Sequence, residues 1–153
     1  MVTTKRASVE DADSLLPLSK MLFAEIGHPF PTADSSEAKV FFRNLLKSKD
    51  YIAFITSAPE NPACAFITLN EGTSVYAGGR FGVIREFYVI EEKRSHGIGK
   101  ALLQSAIECA QRNGWKRLEV TPPHQEAWKR TYNFYRREGF TEIGPRLKLE
   151  CLA

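Results

Sequence analysis

The stretch Arg94–Leu103, reading Arg-Ser-His-Gly-Ile-Gly-Lys-Ala-Leu-Leu, limits what this chain can fold into more than any other. An apolar strand-like run, Val83-Ile84-Arg85-Glu86-Phe87-Tyr88-Val89, precedes it, and a helical pattern follows. A strand, a short glycine-bearing loop and a helix start together make an anion site. Backbone N–H groups at a helix N-terminus lack intrahelical partners, and the macrodipole adds roughly half a positive charge there. Gly97 and Gly99 let that backbone approach a ligand closely, and Lys93, Arg94 and Lys100 add positive charge. A diphosphate-bearing ligand suits this corner.

Three phosphate loops compete for the stretch, and spacing separates them. A Walker loop needs G-x-x-x-x-G-K-[ST], but Arg94 stands at its first position and Ala101 follows Lys100, leaving no hydroxyl for Mg²⁺. A dinucleotide fingerprint needs G-x-G-x-x-G, and its third glycine position is Leu102. What fits is [QR]-x-x-G-x-[GA] over Arg94–Gly99. Taken alone, those six residues also suit an ordinary strand-to-helix turn. Farther on, Phe134-Tyr135-Arg136-Arg137-Glu138-Gly139-Phe140 reads F-Y-x-x-x-G-F. With Glu86-Phe87-Tyr88-Val89 upstream of the loop, these motifs resemble the GNAT superfamily of N-acetyltransferases. The resemblance rests on motifs from about Val83 to Phe140 and on element order elsewhere.

The pattern of the chain is consistent with that family. The 153 residues suit a single domain, 1–153, with 43% hydrophobic and 25% charged residues. Ser8-Val9-Glu10-Asp11 resembles a capping box opening a helix to Ile26, which Pro17 should kink or split. A second helix is predicted from Asp34 or Ser35 to Lys47, with Phe41, Phe42, Leu45 and Leu46 as its apolar side. Strands are expected over Tyr51–Thr56, Ala63–Leu69, Arg80–Ile90 and Arg117–Thr121, with a loop from Glu71 to Gly79. Helices follow over Gly97–Arg112, with Leu102, Leu103, Ala106, Ile107 and Ala110 buried, and from about Gln125 to Arg137, before a final strand pair in Thr141–Cys151. The expected fold is α/β (α+β), a GNAT fold with a mixed central sheet of about six to seven strands flanked by about four helices.

Cys64, Cys109 and Cys151 are odd in number and have no metal-site spacing, so neither a disulfide framework nor a zinc site is expected. A reducing, cytoplasmic location follows from that reading, with no signal peptide and no membrane span. The net charge of +3 is too small to argue for nucleic-acid or membrane binding.

The resemblance implies acetyl-CoA as the acetyl donor and a primary amine of a small molecule as acceptor, by direct transfer in a ternary complex. A protein or peptide N-terminal acetyltransferase and a non-catalytic acyl-CoA-binding module are the alternatives, and a homodimer is compatible with either. An amine of pKa near 10.4 is protonated at pH 7, which adds about 4 to 5 kcal/mol of barrier unless a base assists. Glu86 is the first candidate base, Glu119 the second and water the third; a solvated or salt-bridged strand glutamate is the alternative for each. Tyr135 aligns with the family's acid tyrosine, with core packing beside Phe134 as its alternative. The resemblance places the diphosphate on backbone amides between Ser95 and Lys100. The cofactor set is then Phe87, Tyr88, Val89, Arg94, Ser95, His96, Gly97, Ile98, Gly99, Lys100 and Ala101. A bulge at Phe87–Val89 should splay that strand and expose an amide for the oxyanion.

The chain departs from the family's pattern at one position. Trp128 stands where many members carry a pantetheine-holding asparagine, so Asn133 is a candidate replacement. Trp128 is read as core or, with His124, as part of the acceptor pocket. His28, Pro29, Phe30, Pro31, Phe41 or Phe42, and Tyr76 would wall that pocket.

Overall fold

A computed structural model describes residues 1–32, 34–122 and 128–151. The chain divides into two compact units, Met1–Val120 and Thr121–Ala153.

The first unit holds a five-stranded sheet, with β1 (Thr3–Arg6), β2 (Tyr51–Ala58), β3 (Asn61–Ser74), β4 (Gly79–Val89) and β5 (Leu118–Val120) side by side in chain order. Pairs from β1 to β4 are antiparallel, and β4 pairs β5 in parallel. Three helices belong to it: α1 (Ala12–Ile26), α2 (Ser35–Lys47) and α3 (Ile98–Arg112). Successive β1 side chains locate the layers. Lys5 pairs with Asp11 at the start of α1, 3.1 Å away, while the charge of Arg6 is felt by Cys109 of α3. Because strand side chains alternate between faces, α1 and α3 cover opposite sides. Covered on both sides, β3 is buried without interruption from Cys64 to Leu69, as strands buried on both faces are.

Helix ends follow their caps. Asp34 accepts the Ser36 and Glu37 N–H groups at 2.8 and 3.2 Å and opens α2. Asp11 accepts the Ser8 N–H at 2.8 Å and closes a short 3-10 turn, Val9–Asp11, ahead of α1. Pro17 does not split α1, which runs unbroken for 15 residues to a left-handed Gly27. The proline stands in its second turn and removes only the bond to the Asp13 carbonyl. In α2 the buried residues are Ala38 and Phe42, while Phe41 is exposed, so the apolar side is narrower than its sequence suggests. In α3, Cys109 is buried and Ile107 only half-buried.

The region from Glu71 to Gly79 is a hairpin, where the sequence suggests a loop. The β3–β4 ladder continues from Glu71–Gly82 to Ser74–Gly79, and Gly78 at φ +78° turns the chain. Gly82 has room for nothing else. A Cβ there would lie 2.4 Å from the Trp115 ring, whose Nε1 donates to Glu71 at 2.9 Å.

The second unit contains α4 (Lys129–Arg137), preceded by Trp128. The expected helix start at Gln125, and His124, lie outside the described residues. No strand pair forms among residues 141–151, so the described sheet has five strands and not six or seven. Gly144 sits at φ +120° before Pro145, which has no N–H to give a ladder, and Ile143, Leu147 and Leu149 are exposed. Alternating polarity makes a strand only when an edge pairs with it.

Candidate active site

The phosphate-loop stretch forms a 3-10 turn over Glu91–Lys93, a bend and then α3. Ser95 and Gly97 both take left-handed backbone, at φ 65° and 81°. Such alternation turns successive N–H groups into a concavity suited to an anion. Gly97 caps α3 with no side-chain hydrogen bond, and the first turn contains no acidic residue. A Cβ on Gly99 would touch Phe87 at 3.8 Å and Val89 at 3.9 Å. The start of α3 thus lies against the β4 residues Phe87 and Val89, with ordinary contact room for a Cβ at Gly99. This donor set fits a diphosphate.

Two of the three cations expected around the loop are engaged elsewhere. Arg94 forms a two-point ion pair with Glu25 of α1 at 2.7 and 2.9 Å, and its Nε donates to the Val89 carbonyl at 2.8 Å. Its guanidinium lies over the Tyr88 ring at 5.4 Å. Lys93 pairs with Glu60. The loop's positive character comes from its amides and from the exposed Lys100, with His96 exposed beside them.

The strand splays from its neighbour as expected, but the bulge lies earlier. β5 accompanies β4 only from Gly82 to Ile84, and no β-ladder lines that edge beyond Ile84 among the described residues. Thr68 pairs with Glu86 and Leu69 with Ile84, so Arg85 is the extra residue, ahead of the expected Phe87–Val89. The Ile90 N–H bonds the Cys64 carbonyl at 2.9 Å. By the alternation of an antiparallel ladder, the Val89 N–H faces the splayed edge.

Glu86 is held by two hydroxyls that are not evident as partners from the sequence. Tyr51 and Thr68 both donate to its Oε1, at 2.9 and 2.5 Å, and the Glu86 N–H donates to Thr68 Oγ1 at 2.9 Å. Oε2 has no hydrogen-bond partner among the described residues. The one hint in the sequence is Thr68, a hydroxyl inside the apolar run Ala65–Leu69. Burial, and next the Glu86 carboxylate, push the Tyr51 phenol well above the ordinary tyrosine pKa.

Glu119 is differently placed. Arg117 grips its Oε2 through Nε at 2.9 Å and Nη2 at 2.7 Å, and the Tyr76 hydroxyl donates to both oxygens at 3.4 and 3.2 Å. The Arg117 guanidinium stacks on Tyr76 at 4.8 Å. Among the described residues nothing bonds Glu86 Oε2, whereas both Glu119 oxygens face the Tyr76 hydroxyl.

In the second unit Tyr135 is buried, its ring 5.5 Å from Phe134 and 5.3 Å from Phe140. Gly139 at φ 103° reverses the chain so that the Phe140 N–H bonds the Tyr135 carbonyl at 3.0 Å. This is why the motif needs its glycine. Burial raises the Tyr135 phenol above the ordinary value. Asn133 is exposed on the same helix, and Trp128 is half-buried at its start.

Among the residues expected to wall an acceptor pocket, Phe23 packs against both His28 and Phe30 at 5.5 Å. His28 Nδ1 lies 2.7 Å from the Pro29 carbonyl, Phe42 is buried, and Tyr76 is exposed at Glu119. No metal-binding cluster occurs among the described residues, and none of their helices is long and apolar enough to cross a membrane.

Solved structures share this architecture. A predicted acetyltransferase with acetyl-CoA from Clostridium acetobutylicum is 18% identical, covers 98% of this chain and 96% of its own, and superposes with a TM-score of 0.80. An aminoglycoside acetyltransferase from an uncultured soil metagenomic sample, in complex with sisomicin, is 16% identical over 99% and 96% of the chains at a TM-score of 0.77. The ribosomal-protein-alanine N-acetyltransferase of Brucella melitensis biovar Abortus 2308 is 18% identical over 98% and 99% at 0.75. No protein of curated function matches the chain in sequence. The family model for the acetyltransferase (GNAT) domain matches residues 51–142, which include Glu86, the glycine loop, the splayed strand and Tyr135. The chain belongs to the GNAT acetyltransferase family.

Proposed function

We propose that this protein is an acetyl-CoA-dependent N-acetyltransferase acting on a primary amine of a small molecule, by direct transfer in a ternary complex. The observation that carries the reading is the Glu86 carboxylate, fixed on β4 with Oε2 unpaired among the described residues, on the strand that leads into the glycine loop. Acetyl-CoA, when bound, supplies the acetyl group as a thioester. The amides of Ser95–Lys100 are suited to its diphosphate, and the Val89 N–H to the carbonyl being attacked. Glu86 takes a proton from the acceptor ammonium on Oε2, which leaves the nitrogen lone pair able to attack. Tyr135, by its family alignment, holds the proton returned to the departing sulfur.

The small-molecule reading draws support from the aromatic, proline-rich segment at His28–Pro31 and from the sisomicin complex of a structural neighbour. The ribosomal-protein-alanine N-acetyltransferase of similar fold favours a peptide N-terminus as the second reading. Free-thiol release from acetyl-CoA, measured against amines, amino acids, sisomicin and alanine-ended peptides, separates the two. Turnover confined to peptides would replace the first reading with the second. A panel with no turnover would leave a non-catalytic acyl-CoA-binding module.

A further inference from the structure

The base on β4 does not stand by itself. Three strands meet at it: Tyr51 opens β2, Thr68 lies in the middle of β3, and Glu86 follows the bulge on β4. In an uninterrupted ladder, Thr68 would oppose Arg85, and Glu86 would point to the other face of the sheet. The single extra residue at Arg85 turns Glu86 onto the face that carries Thr68 and Tyr51. The bulge is itself pinned, because Arg85 Nε donates to Asn70 Oδ1 at 3.1 Å.

We infer that Tyr51 and Thr68 are positioning residues that clamp the Glu86 carboxylate through Oε1, leaving Oε2 as the one oxygen able to receive the acceptor's proton. The inference rests on Glu86 being the base. Both hydroxyls are committed to this task. Thr68 is 0% exposed, and its single O–H is spent on Glu86 while its oxygen accepts the Glu86 N–H. Tyr51 is 6% exposed and retains its proton, since burial and the neighbouring carboxylate oppose ionisation, so toward Glu86 it acts as the donor. A purely structural contact between these strands would be made more cheaply by apolar side chains, because buried polar networks cost desolvation. In the proton step, the N–H bond of the ammonium breaks, an O–H bond forms on Oε2, and the two donors on Oε1 keep the group from rotating.

The test is a double-mutant cycle on the full chain, read as thiol release from acetyl-CoA with the fastest amine of the panel above. Glu86→Gln should lower kcat about a hundredfold at neutral pH and recover partly in alkali, where the amine deprotonates unaided. Tyr51→Phe keeps the ring and removes one donor. It should lower kcat about tenfold with KM for acetyl-CoA unchanged, recover in alkali in the same way, and add no further loss to Glu86→Gln. Thr68→Val should act likewise and Thr68→Ser should restore the rate. If Thr68→Val fails to fold because it strands the Glu86 amide, Tyr51→Phe decides. Wild-type rates in Tyr51→Phe, or a loss that simply adds to that of Glu86→Gln, would overturn the clamp and leave the base in place. Wild-type rates in Glu86→Gln would overturn the base and the clamp together, as would a panel without turnover.

Discussion

Tyr135 joins two properties that pull in different directions. Its ring is packed between Phe134 and Phe140, and its hydroxyl is pushed above the usual tyrosine pKa by burial, so it stays protonated across the neutral range. A coenzyme thiolate is a weaker base than this phenolate, so in the proposed reaction the phenol helps first by donating a hydrogen bond to the sulfur as its charge develops. Tyr135→Phe removes one oxygen and leaves the packing, so kcat should drop about 10²-fold or more with little change in KM for acetyl-CoA. Normal turnover in Tyr135→Phe would reduce the phenol to core packing and leave water as the acid. At this scale Glu86 and Tyr135 could be singled out in the sequence because each lies beside a distinctive motif. Tyr51 and Thr68 could not, since they stand 35 and 18 residues from Glu86 and meet it only through strand register.

Among the elements, α3 with its loop is the one we propose to hold the cofactor's diphosphate. Coenzyme A should raise the thermal midpoint, because a ligand that binds only the native state stabilises it. Gly99→Asp places a carboxylate at the start of α3, while its Cβ meets Phe87 and Val89 at ordinary contact distance. The fold should survive and the coenzyme-induced shift should disappear; an unchanged shift would remove the loop from cofactor binding. The start of α1 is a matter of stability. Burial alone would raise the Asp11 carboxyl, but the Ser8 N–H and the Lys5 ammonium outweigh it and leave its pKa below the ordinary aspartate value. A lowered folded-state pKa gives stability that is present above the unfolded value and lost as pH falls through the folded one. Asp11→Ala should therefore cost about 1 kcal/mol at pH 7 by denaturant titration. The gap to wild type should narrow below about pH 4. A gap independent of pH would mean that packing, not charge, holds this turn.

At the level of the molecule, we propose that residues 1–153 form one cooperative domain, although the chain divides into two compact units. Each unit carries one tryptophan, Trp115 in the first and Trp128 in the second. Trp128→Phe leaves fluorescence reporting on the first unit, and Trp115→Phe leaves it reporting on the second. In each variant the fluorescence and far-ultraviolet dichroism midpoints in denaturant should coincide, as two-state unfolding requires. Separated midpoints would make the units independent domains.

Local chemistry was legible without a structure. The glycine spacing after a strand, the capping box at Ser8 and the period of α3 each depend on residues a few places apart, so these helix starts and the glycine turn follow from sequence alone. Pairing is another matter. Residues 146–150 alternate in polarity as a strand would, yet no described edge pairs with them, and the stretch from Glu71 to Gly79 reads as loop yet is zipped into a hairpin. The site divides along the same line. Its candidate carboxylates could be named in advance, but how each is held depended on a one-residue bulge and on partners that only the folded sheet brings together. A bulge changes the face of every residue after it without leaving a strong mark on composition, so tertiary pairing decided what the sequence could only nominate.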